Sequence, residues 1–174
     1  MSGHVKGRDD MNPHSFTVGA KAPVLQTRTG GPDAPPEERG NCFVACIATI
    51  LGCSLEEVPD VCAAEDGWDE LVGWLSERGW YVLEKENDPT ESWVPGWTIM
   101  GVGSRNPKIR EATDGGGHVV VAKDGVPWFN PNPDDLRDVG ELLASAAARG
   151  NKVTYVLYPL DAERAQSPLA RSVA

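Results

Sequence analysis

Ten residues, CFVACIATIL from Cys42 to Leu51, are almost uninterruptedly apolar, and they constrain this chain more than any other segment. Asn41 before them is a natural N-cap and Gly52 after them a natural stop, so the run reads as a helix. A helix that is apolar all round has to be covered on every side, which requires a sheet or further helices packed over it. Downstream, Ser54 with Glu57 forms the pattern of a capping box, opening a short turn that Pro59 ends. A second helix is expected from Gly67 to Arg78, with Asp66 as its N-cap and Trp68, Leu71, Val72, Trp74 and Leu75 as its apolar stripe.

Beyond Gly79 the pattern turns to short β-rich runs: 80–83, 97–102, 118–122, 126–129 and 153–158. Asp124-Gly125 between the third and fourth is a hairpin signal. One more helix is expected from Asp135 to Arg149, closed by Gly150. Helices first and an antiparallel sheet afterwards define an α+β fold, with the sheet packed on the Cys42 helix. Residues 1–16 and 161–174 are polar and aperiodic and read as a disordered arm and tail, leaving one domain over 17–160.

The formal charge is −10, with no dense run of Lys and Arg, so nucleic acid and anionic membranes are not expected partners. No stretch is long and apolar enough for a membrane span, and no signal peptide is recognisable. These features predict a cytoplasmic protein. All four cysteines, at 42, 46, 53 and 62, fall within one short stretch. That clustering predicts reduced thiols rather than a disulfide framework, and the absence of a CxxC pair argues against structural zinc.

Cys42 stands in the first turn of its helix, where unpaired N–H groups and the helix dipole favour a negative sulfur and an oxyanion on an attacked carbonyl. Cys46, Cys53 and Cys62 read as packing residues. A thiol nucleophile needs a base, and of three histidines two, His4 and His14, lie in the N-terminal arm. His118 remains, at the head of a strand after three glycines that leave room beside its ring. Asn130 is the expected orienting partner of the imidazole, because the Asp124-Gly125 turn returns the chain to the level of His118. Asn132 and Asp114 are the alternatives for that role. Trp128 either lines the cleft or packs across strands.

The order Cys, His, Asn, with GNCFVACIATILGCSLEEVPDV, GGHVVVAKDG and FNPNP, resembles the papain-like cysteine peptidases of the bacteriocin-processing type, and small phage and bacterial proteins like them. The resemblance covers about Val24 to Pro133. It implies a papain-like fold with Cys42 as nucleophile, His118 as base, Asn130 as orienting residue and Gln26 as oxyanion-hole donor, although Gln26 lies unusually far before Cys42. The expected function is cleavage of a peptide or isopeptide bond in a peptide or protein substrate, through a thioester. No metal or organic cofactor is implied. Acyl transfer to an amine, or a non-catalytic peptide-binding or host-interaction module on the same fold, are the alternatives. The cleft walls are expected from Thr27–Arg39, Asn87–Gly96 and Ser104–Gly116.

Overall fold

The computed structural model describes residues 23–87, 96–149 and 152–159. The expected arm and tail, and most of the Asn87–Gly96 loop, lie outside the described residues. Among the described residues four α-helices and five strands follow one another as α1 (Cys42–Leu51), α2 (Gly67–Glu77), β1 (Trp80–Asn87), β2 (Trp97–Gly103), α3 (Pro107–Ala112), β3 (Gly117–Lys123), β4 (Val126–Phe129), α4 (Val139–Ala148) and β5 (Lys152–Pro159). The strands form one sheet in the order β1-β5-β2-β3-β4. All its pairings are antiparallel.

The sheet is covered on both faces. On one, α1 and α2 bury Ile47, Ile50, Leu71 and Leu75 against Ile99, Val121 and Leu157. On the other, Leu142 and Ala146 of α4 close over Met100, Val102, Val120 and Ala122. Alternation along β3 therefore sends Val119 and Val121 toward α1, and Val120 and Ala122 toward α4. Two-sided cover is also why β2 reads as a nearly continuous apolar run. Each fully buried Leu or Ile contributes roughly 2 kcal/mol of hydrophobic stabilisation.

The expected α1 is reproduced at both ends, with Gly52 in the left-handed conformation as its C-cap. The Ser54–Glu57 capping box is present in both directions. Asn41 and Asp66 stand at N-cap positions, but neither side chain caps its helix. The last helix begins at Val139, not Asp135, because Asp138 and Glu141 form a capping box that sets its start. The segment 104–116, expected as loop, contains the short helix α3, started by Asn106 and Pro107.

The β3–β4 hairpin turns at Asp124 and Gly125, both with positive φ, as a tight two-residue turn requires. Its register then slips. Lys123 faces Val126 and Ala122 faces Pro127, but Val121 faces Phe129, so Trp128 is an extra, bulged residue. Phe129 is thereby turned to the α1 core. In an unbulged hairpin Asn130 would stand opposite Val119, on the α1 face. The bulge carries it to the face of Val120, the one His118 shares by alternation.

Candidate active site

A cleft of about 620 Å³ runs between the start of α1 and the end of the sheet, and Cys42, His118, Gln26, Asn132 and Cys62 all line it. Its rim comes from 29–32 and from Ser104, Ile109 and Thr113, within two of the three expected wall segments. Gly101 of β2 and Gly117 of β3 line it from the sheet.

Asn41 positions Cys42 from the side. Its Oδ1 accepts hydrogen bonds from the N–H groups of Thr27 (3.0 Å) and Arg28 (3.1 Å), and its Nδ2 donates to Thr27 Oγ1. The Asn41 oxygen is thus spent on the preceding segment, and no side chain caps the first turn of α1. The first-turn N–H groups therefore have no side-chain partner, and those of Cys42 and Phe43 are turned to the Cys42 sulfur, which suits an anion. The same bonds explain how Gln26, sixteen residues earlier, lines the same cleft. Residues 31–38 make a closed excursion whose ends meet, with Gly30 N–H donating to Glu38 O (3.0 Å) and Gly40 N–H to Gly30 O (2.8 Å). Arg28 ties this turn to Asp60 through an ion pair.

Gln26 is buried, its backbone N–H donating to Pro131 O (2.9 Å) and its Nε2 to Arg28 O (3.0 Å). Its Oε1 is buried with no hydrogen-bond partner. One Nε2 hydrogen is therefore committed and one is left, so the expected donor is in the cleft wall but partly engaged.

His118 is buried, and its Nε2 lies 2.8 Å from Asn130 Oδ1. The orientation of the Asn130 amide is fixed by its other bonds: Oδ1 accepts from Asn132 N–H (3.1 Å) and Nδ2 donates to Asp135 O (3.3 Å). An oxygen facing Nε2 requires Nε2 to carry the proton. In the neutral ring Nδ1 then holds the lone pair. Burial lowers the His118 pKa below its ordinary 6.5, only partly opposed by the Asn130 bond and the charge of Asp135, so the neutral ring prevails at pH 7. Of the residues considered for orienting His118, Asn130 is in contact with it and Asn132 supports Asn130.

The glycines before His118 do not simply leave space. Gly117 has φ +87°, and a Cβ there would collide with Ile109 and with Thr113 Oγ1, so α3 packs directly on the backbone beside the histidine.

The thiol departs from the sequence expectation. Burial pushes the Cys42 pKa up to about 11, and hydrogen bonding from the backbone N–H of Val119, with smaller help from those of Phe43 and Cys42, does not offset it. Cys62 adds to the rise. The resting pair is a neutral thiol and a neutral imidazole, not a preformed thiolate and imidazolium. Cys46 is a core residue whose thiol lies 3.9 Å from Val119 O. Cys62 is not merely packing, since it shares the cleft with Cys42. None of the four cysteines forms a disulfide. Trp128 packs edge-to-face on Trp97, with centroids 4.8 Å apart, outside the cleft lining.

Behind Asn130 lies a second layer that sequence reading missed. Asp135 is buried and bound by Arg137 through both Nε and Nη2. Arg137 Nη1 also donates to Ser145 Oγ on α4, which accepts from Gly103 N–H at the end of β2 (3.0 Å). Burial works against ionisation of Asp135, but hydrogen bonds from Arg137 and, to a lesser degree, from the Asn130 side chain outweigh it and hold the carboxyl at about 2. With an ordinary value near 3.8, these interactions together contribute about 2 kcal/mol above that pH, lost as pH falls through about 2. Acid titration followed by circular dichroism should show this component in wild type and not in Asp135→Asn.

No family model, no curated protein and no solved structure matches the chain. Among the described residues no group of three His, Cys, Asp or Glu is placed to hold a metal ion, and no helix is long and apolar enough to cross a membrane.

Proposed function

We propose that the chain is a papain-like cysteine hydrolase that opens a peptide or isopeptide bond through a thioester. The observation that carries this reading is the His118 tautomer: Asn130 holds the proton on Nε2, so Nδ1 is the basic nitrogen of a ring that shares a cleft with Cys42. Because both groups rest neutral, His118 acts as a general base at the moment of attack. The Cys42 S–H proton passes to Nδ1 as sulfur bonds to the carbonyl carbon. The uncapped N–H groups of α1 hold the resulting oxyanion, with the remaining Nε2 hydrogen of Gln26 as a second donor. Collapse expels the amine, which takes the proton from His118. Water, deprotonated by the same ring, then attacks the thioester, releasing the acid and restoring the thiol.

The raised Cys42 pKa favours a second reading, a peptide-binding module that does not cut. Acylation with p-nitrophenyl acetate separates the two. The hydrolase forms an acetyl thioester at Cys42, located by peptide mass mapping, and then releases it with turnover. A module either acylates slowly in proportion to hydroxide and keeps the acetyl group, or labels at Cys53 or Cys62 first, and either result removes the catalytic reading.

A further inference from the structure

The charge of the cleft is opposite to that of the chain. Against a formal net charge of −10, the charged side chains lining the cleft are Arg39 and Arg149 with a single carboxylate, Glu84. Glu84 is engaged with the hydroxyl of Tyr155 through a side-chain hydrogen bond. Arg39 spends its Nε and Nη1 on the carbonyls of Ala34 and Cys62, which fixes it in the wall without neutralising it. Arg149 is different. It caps the end of α4, its guanidinium lies so close to Gly116 that a Cβ there would come within 2.8 Å of Nη2, and its Nε is buried with no hydrogen-bond partner. It forms no ion pair among the described residues. A guanidinium that lines the cleft outside any ion pair among the described residues is an arrangement that an incoming carboxylate satisfies, by charge and by hydrogen bonds from its terminal nitrogens.

We propose that Arg149, with Arg39, forms an anionic subsite that selects substrates carrying a carboxylate near the bond attacked by Cys42. This rests on the hydrolase reading for its role, though not for its detection. Nothing in the overall charge would suggest it, since an acidic chain repels anions from most of its surface.

The test labels wild-type protein with N-ethylmaleimide and with carboxymethyl-, carboxyethyl- and carboxypentyl-maleimide, which differ in the carboxylate and in its distance from the reactive double bond. Rates are read at each cysteine by peptide mass mapping. Cys53, outside the cleft lining, reports the background repulsion of acids by the chain. The acid-to-neutral rate ratio at Cys42 should exceed that at Cys53 by roughly fivefold for at least one spacer, the scale of one partly exposed ion pair. The excess should vanish in Arg149→Gln, persist in Arg149→Lys and shrink as chloride is raised on the wild type. Equal ratios at Cys42 and Cys53 for every spacer, or an excess that survives Arg149→Gln, overturn the subsite. If Arg149→Gln does not fold, an excess insensitive to chloride overturns it equally. If Cys42 is inert to all four reagents the hydrolase reading fails, and the subsite is then judged at Cys62 in the same cleft, where an excess supports it and none refutes it.

Discussion

Replacing His118 with alanine is expected to slow acylation of Cys42 by about 10²- to 10⁴-fold at pH 7, the usual contribution of a positioned general base. The size of the effect follows from the resting state of the pair. With the thiol pushed up to about 11, thiolate at neutral pH is scarce, and proton removal during attack is what makes the sulfur reactive. The pH profile separates this from a preformed ion pair. His118 must be neutral to act, so kcat/KM should rise through a pKa below 6.5 and then stay level until the thiol itself ionises near 11. A preformed thiolate–imidazolium pair would instead lose activity as the imidazolium deprotonates at mildly alkaline pH. A fall between pH 8 and 10, or an alanine variant that acylates at the wild-type rate, would sink the general-base assignment.

How far this site was legible in the sequence depends on the kind of signal each part leaves. Cys42 was readable because its helix carries an apolar run with a stop at Gly52, and His118 because only one histidine belongs to the patterned region. The pairing of His118 with Asn130 was named for an incomplete reason. Counting outward from Asp124-Gly125 gives proximity, but in a regular ladder it puts the two side chains on opposite faces, and only the bulge at Trp128 brings them together. A bulge leaves no periodicity to read in a four-residue strand. The thiol was misjudged because a helix N-terminus is visible in sequence while the burial that outweighs it is a property of the assembled cleft. Arg149 and Tyr155 were missed, and Cys62 was read as packing, for the same reason: they reach the cleft from a helix end, a strand and a loop that only tertiary packing brings to one place.

Asp135→Ala is expected to destabilise the fold by about 3–5 kcal/mol, because it leaves Arg137 buried without its counter-charge. The side chains of the pair are only 1% and 14% exposed, and Arg137 is also the link from Asp135 to Ser145 on α4 and thence to Gly103 on β2. Asn130 touches both parts of Asp135: its Nδ2 donates to the Asp135 carbonyl (3.3 Å), and its side chain also helps hold the carboxyl down. Replacing both members together, Asp135→Leu with Arg137→Met, removes two desolvated charges and should regain most of the loss, since a buried ion pair is often no more stabilising than apolar groups of its size. The double variant should also retain the His118 tautomer, because the Asp135 carbonyl and the Asn132 N–H that orient the Asn130 amide are both kept. Urea denaturation of the two singles and the double gives the coupling energy, and imidazole nitrogen shifts report the tautomer. A single variant within about 1 kcal/mol of wild type would show that water reaches the pair, against the burial that makes it strong. A double variant that keeps its stability but loses the Nε2–H tautomer would show instead that the carboxylate holds Asn130 in place.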